Sequence, residues 1–253
     1  AYICFFAVTG FALPPLVGIL LAIILCTILG MVIERLAYKP LRQAASLTVL
    51  ITAIGVSYFL QNSAQILWSA SPKSFPTNFF NIGESKGITL FDGGLTISYV
   101  AIVTILCCLV IMAVLTFFTG KTKMGKAMRA CSEDKGAAQL MGINVNGIIT
   151  ITFAIGSALA AFAGFFMLMK SPSLSNTLGA MPGIKAFTAA VIGGIGSIPG
   201  AMAGGILMGV VEAISLQIPA IAPYTDAIEF IILIIILLVK PTGILGKVRR
   251  EKV

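Results

Sequence analysis

Long apolar runs separated by short polar connectors organise the 253-residue chain. A helix needs about 20 apolar residues, at 1.5 Å rise each, to cross about 30 Å of hydrocarbon. Runs of that kind lie at 14–33, 46–68, 98–118, 147–169, 200–217 and 225–239, and each predicts a membrane-spanning helix. The run 185–192 is apolar but short, and it ends in Gly193-Gly194-Ile195-Gly196-Ser197-Ile198-Pro199-Gly200. Four glycines and a proline extend a helix poorly, so a broken or re-entrant helix is expected at 193–200. Irregular backbone at membrane depth is tolerated only where protein or a water-filled cavity covers it. Tyr2 to Val8 is too short to span, so the chain is expected to open inside a span, with earlier spans outside this sequence. The predicted fold class is all-α, a polytopic transmembrane bundle read as one permease-sized domain over 1–253 with a cytoplasmic loop at 119–146.

The connectors carry the orientation. Arg35, Lys39 and Arg42 lie in 34–45; Lys121, Lys123, Lys126, Arg129 and Lys135 lie in 119–146; Lys240, Lys247, Arg249, Arg250 and Lys252 lie in the tail. These segments hold thirteen of the seventeen basic residues. Alternation of the spans groups them on one side, which the positive-inside rule makes cytoplasmic. The opposite loop, 69–97, has only Lys73 and Lys86, and its Pro72, Pro76, Gly93 and Gly94 read as irregular extracellular structure.

Composition strengthens the membrane reading. The chain is 58% hydrophobic and 10% charged, whereas soluble domains carry about 25% charged residues. Its surface must therefore face lipid. The net charge of +8 belongs to the connectors rather than to a nucleic-acid surface. Cys4, Cys26, Cys107, Cys108 and Cys131 show no CxxC spacing, and the chain has no histidine, so they read as small apolar packing residues and not as zinc ligands.

No catalytic set or cofactor motif emerges. Gly120-Lys121-Thr122 resembles the end of a P-loop, but Leu115 stands where its first glycine belongs. Pro199 interrupts the glycines that follow Gly194, which excludes a dinucleotide fingerprint. Small residues at four-residue spacing, Gly156-Ala160-Gly164 and Gly200-Gly204 with Gly205 and Gly209 beside them, suit close helix packing. Glu212, Asp226 and Glu229 fall toward the outer ends of the last spans. Carboxylates there suit structural pairing or a polar pathway lining, and Thr225 is a plausible N-cap beside Asp226.

Segment 119–146 is too charged to span but keeps a helical pattern. Ser132 is expected to cap a short helix beginning with Glu133 and Asp134. Ala137, Ala138, Leu140 and Met141 give it a small apolar face, and Gly142 ends it in a left-handed conformation. Such a face either lies on the membrane or docks into the groove of a cytoplasmic partner.

The same segment resembles the EAA loop of ABC importer permeases, with Ala137, Ala138 and Gly142 at matching positions. Gly136 replaces that family's glutamate, and the downstream Leu-Pro is absent. A longer likeness is to the LivH-type permeases of branched-chain amino-acid importers. It is carried by Glu34-Arg35-Leu36-Ala37-Tyr38-Lys39-Pro40-Leu41-Arg42, by Ile51 to Ser57, by Met128-Arg129-Ala130, by Asp134 and Ala137 to Ile143, by Gly183 to Gly200, and by Lys240-Pro241-Thr242-Gly243-Ile244-Leu245-Gly246.

The resemblance implies a transport subunit of the bacterial inner membrane without catalytic residues, cofactor or metal. It implies a second homologous permease, two cytoplasmic ATPase subunits, and an extracytoplasmic binding protein that delivers leucine, isoleucine or valine. The expected ATPase-coupling residues are Arg129, Glu133, Asp134, Ala137, Ala138, Leu140, Met141 and Gly142. The expected break beside the pathway comprises Gly193, Gly194, Gly196, Ser197, Pro199 and Gly200. Rival readings are a same-family importer of urea, short amides or sugars, and an ion channel or proton-coupled transporter. The absence of histidine and the scarcity of intramembrane acids disfavour the latter class.

Overall fold

A computed structural model of the chain describes residues 1–11, 13–42, 44–75, 87–90 and 95–246. Pro76, Lys86, Gly93, Gly94, Lys247, Arg249, Arg250 and Lys252, which entered the topology argument, lie outside these residues. The described elements are α1 (Tyr2–Thr9), α2 (Pro15–Ile33) with a π-helical turn (Glu34–Tyr38), α3 (Ser46–Trp68), β1 (Lys73–Ser74), β2 (Gly87–Leu90), β3 (Leu95–Ser98), α4 (Tyr99–Lys121), α5 (Lys123–Glu133), α6 (Lys135–Leu140), α7 (Val145–Lys170), β4 (Ser173–Leu174), α8 (Ala180–Gly193), α9 (Ile198–Gln217), a 3₁₀ turn (Ala222–Tyr224) and α10 (Thr225–Val239). Six helices are long and apolar enough to cross a membrane. The 69–97 loop, read as irregular, contains short strands instead: β2 pairs with β3, and β1 pairs with β4 across a long sequence separation.

The contacts group into two units. The first comprises Ala1–Leu109 with Phe118–Leu178, and the second comprises Val110–Phe117 with the chain from Gly179 onward.

In the first unit α2 lies along α7. Gly30 permits the approach, because a Cβ there would overlap the Ser157 side chain. The Gly156-Ala160 face singled out in sequence is exposed instead, and Gly156 has open space beside it. Four-residue spacing defined a stripe but not the side of α7 that α2 covers. One apolar cluster joins Cys4, Val8, Ala22, Phe75, Phe165, Leu168 and Leu174. Beside it Tyr2 stacks on Trp68 at 4.8 Å, and the Lys73 ammonium sits 4.6 Å above the Phe6 ring. Aromatic residues of this kind favour the membrane–water boundary.

In the second unit α8 and α9 form an antiparallel hairpin. Gly193 lies against the Gly200 carbonyl and Gly204 against the Ala189 carbonyl, each too close for a side chain. Glycines here let backbones touch where larger residues would hold them apart. Between the 119–146 loop and the tail the sequence predicts three full spans, an odd number, which alone would place those segments on opposite sides. The 14-residue α8 rises about 21 Å, and the expected grouping of the tail with that loop requires it to count as a fourth traverse.

Candidate functional site

Three constellations concentrate the polar chemistry of the described residues.

The first is the basic helix pair α5–α6. Ser132 does not cap α6. It lies inside α5, where its hydroxyl donates to the Arg129 carbonyl at 2.7 Å. Glu133 is the last residue of α5 rather than the first of the next helix. Asp134 is the cap, its Oδ1 accepting from the Gly136 and Ala137 amides at 2.7 and 3.1 Å. Both residue types can cap. α5 simply continues past Ser132, and the chain becomes extended only at Asp134 (φ −149°). Gly142 ends the element at φ +80°, the left-handed conformation that glycine adopts without Cβ strain.

The apolar face divides in two. Ala138 packs inward with Cys131, Val145 and Ile148, tying α6 to α5 and to the start of α7. Leu140 and Met141 are 91% and 82% exposed. Ala137 and Arg129 are exposed as well.

Immediately beyond, α7 meets the end of α2. Glu34 in the π-helical turn is 1% exposed. The Arg42 guanidinium pairs with Glu34 Oε1 and donates to Asn146 Oδ1. The Thr150 hydroxyl donates to Glu34 Oε2 at 2.9 Å, and the Tyr38 and Phe153 rings meet at 5.0 Å. The segment Glu34–Arg42 is thereby locked onto the first turns of α7.

The second constellation is the break. Gly194 and Gly196 have φ of +105° and +94°, and the Ser197 side chain caps α9 by accepting from the Gly200 amide at 3.1 Å. Gly193, Gly194 and Gly200 are buried, whereas Gly196 and Pro199 are exposed. The last carbonyls of a helix lack intrahelical donors. Here the chain after α10 supplies them: the Ile244 amide donates to Ile192 O at 2.8 Å and the Leu245 amide to Gly193 O at 3.0 Å. Gly243, at φ +77°, fits against Gly194 with no room for a Cβ. The Lys240–Gly246 motif is thus the closure of the α8–α9 turn, a role that sequence spacing did not reveal.

The third constellation joins the N-terminal half of α8, the C-terminal part of α9 and the first turns of α10. The Lys185 ammonium lies 3.3 Å from Glu212 Oε1, 2.9 Å from Asp226 Oδ1 and 3.3 Å from Glu229 Oε1. Glu229 is 1% exposed. Thr225 is not an accepting cap, because its hydroxyl donates to the Ala222 carbonyl at 2.8 Å. The three acids had been noted in sequence without their partner. A usable signal existed, since Lys185 is the only basic residue between 171 and 239, and intramembrane charges seek opposite charges.

Comparison with known proteins matches this arrangement to a family. The profile described as "Branched-chain amino acid transport system / permease component" covers residues 1–237. The BraD permease of Pseudomonas aeruginosa, described as a "High-affinity branched-chain amino acid transport system permease protein", is 43% identical over 264 residues, covering 100% of this chain and 84% of its own. The LivH proteins of Salmonella typhimurium and Escherichia coli, described in the same words, are 43% and 42% identical over 239 residues, covering 93% of this chain and 76% of theirs. No solved structure matches significantly. With six apolar spans and this end-to-end similarity, the chain belongs to the permease-component family of branched-chain amino-acid transport systems and resides in the cytoplasmic membrane.

Proposed function

We propose that this chain is the membrane subunit of an ATP-driven importer of leucine, isoleucine and valine. It works beside a second homologous permease, above two cytoplasmic ATPase subunits and beneath an extracytoplasmic binding protein. The observation that carries the reading is α6: a short capped helix with Leu140 and Met141 exposed while Ala138 fastens it to α5 and α7. An exposed apolar pair on a firmly held helix suits a groove in a partner.

Force applied at α6 passes through Ala138 and Val145 into α7, and through Asn146 and Thr150 to the end of α2. ATP-driven closure of the ATPase pair then biases the spans between outward-facing and inward-facing arrangements. Arg129, Glu133, Asp134, Ala137 and Gly142 serve this element by framing it. The Gly193–Gly200 turn serves the rocking spans by holding α8 and α9 as one body.

Leu140→Asp tests the reading. A charge placed in an apolar docking groove without a partner is strongly unfavourable. The permease is expected to reach the membrane at normal level, to lose co-purification with its ATPase chains, and to lose most leucine uptake. Normal uptake by this variant would refute the docking.

A further inference from the structure

The charge set joining α8, α9 and α10 is unbalanced. Three carboxylates face one ammonium. One would suffice to neutralise Lys185, so the set has capacity for a further positive group. Each carboxylate spends one oxygen on Lys185: Glu212 Oε1, Asp226 Oδ1 and Glu229 Oε1. Their second oxygens remain. That of Glu229 is buried and has no hydrogen-bond partner among the described residues, on a side chain only 1% exposed. Glu212 and Asp226 are 41% and 49% exposed, so the set is open beside its buried member.

The chemistry narrows the missing cation. Lys185 Nζ occupies the point where the three carboxylates meet, and among the described residues no group of three acids or cysteines is placed to hold a metal ion. An ammonium has three donors, and it is the donor group suited to a carboxylate set whose buried member has an oxygen without a partner among the described residues. Lys185, with its own three donors directed at carboxylates, has none left for a ligand's carboxylate. The site reads the amino end of a ligand and ignores its acid end.

We propose that Lys185, Glu212, Asp226 and Glu229 form the subsite that receives the α-ammonium group of the amino acid in transit. Glu229 Oε2 is its buried acceptor, and Glu212 and Asp226 are its outward ones. Lys185 is a positioning residue that fixes the three carboxylates. The subsite lies in the outer half of the spans, where cargo enters from outside. This proposal rests on the import reading above, and it names the part of the substrate that the permease itself recognises.

The test uses the full permease–ATPase complex in nanodiscs, without the binding protein. The probes are leucine, isopentylamine (leucine without its carboxylate) and isocaproate (leucine without its ammonium), with affinity read by titration calorimetry. Leucine and isopentylamine are expected to bind and isocaproate to fail. Glu229→Gln and Glu212→Gln are expected to weaken isopentylamine by about tenfold or more, the worth of a charge-assisted hydrogen bond. Glu212→Gln guards against a folding defect, because its half-exposed site tolerates the change, and co-purified ATPase reports assembly of both variants. Isocaproate binding as well as the amine, no amine binding to the unaltered complex, or unchanged amine affinity in an assembled Gln variant would each overturn the subsite. Leucine uptake by the unaltered complex with its binding protein separates the two claims. If uptake is absent while the amine binds, the import reading fails and the ammonium site stands. If uptake is present while amine binding is absent or indifferent to the Gln changes, the reverse holds.

Discussion

Glu34 and Glu229 are equally hidden, each 1% exposed, yet their electrical settings are opposite. Both Glu34 oxygens are taken, Oε1 by Arg42 and Oε2 by the Thr150 hydroxyl, and one cation answers one carboxylate. Glu229 shares a single Lys185 with two other carboxylates, and its second oxygen has no partner among the described residues. A buried carboxylate with both oxygens engaged is a joint: it ties the end of α2 to the start of α7, while the Arg42 Nε beside it has no partner among the described residues. An unsaturated one retains capacity for a further donor. Burial alone distinguishes nothing here; counting donors against acceptors does.

Three changes test that contrast. The largest effect is expected from Arg42→Met, which leaves the Glu34 charge buried and unanswered, at about 3–5 kcal/mol. Thermal unfolding of the detergent-purified complex should show it, and adding Glu34→Gln should recover most of the loss. If the double variant unfolds as early as the single one, the pair is not a closed account of its own charges. Next comes Thr150→Val, which removes the hydroxyl donor from Glu34 Oε2 at a cost of about 2 kcal/mol. A measured value near zero would mean that Arg42 alone satisfies the carboxylate. The smallest effect belongs to Asp226→Asn, where half exposure and a surplus of acids limit the loss to about 0.5 kcal/mol or less. Destabilisation by Asp226→Asn matching that of Arg42→Met would erase the distinction between the two sites.

Local rules carried the sequence reading a long way. The spans 46–68 and 225–239 coincide with α3 and α10, and the others differ from their helices by no more than three residues at an end, because a run of apolar residues about 20 long has few alternatives to a spanning helix. Gly142 in a left-handed cap was legible for a similar reason, since few residues besides glycine stop a helix there. Failures arose where two local rules competed or where partners were distant. Ser132 and Asp134 are both good caps two residues apart, and the decision lay in how far α5 persists. Gly156 and Ala160 are as small as Gly200 and Gly204, yet only the second pair faces a neighbouring helix within its unit. Lys185 meets carboxylates 27 and 44 positions away, contacts that only the fold of α8, α9 and α10 creates. The run 185–192 is apolar apart from Lys185, and nothing in its spacing points to the acids that the fold brings to that residue.

The closure of the α8–α9 turn by Ile244 and Leu245 has a consequence for biogenesis. During synthesis the hairpin emerges well before the strip of backbone that completes it. Until residues 240–246 leave the ribosome, the carbonyls of Ile192 and Gly193 must borrow water, and the bend at Gly194 is held only by its own turn and cap bonds, the Ser197 amide on Gly194 O at 3.1 Å among them. The hairpin is therefore finished only after α10 has been made, so a nascent chain stalled before that point carries its weakest seam at the α8–α9 turn.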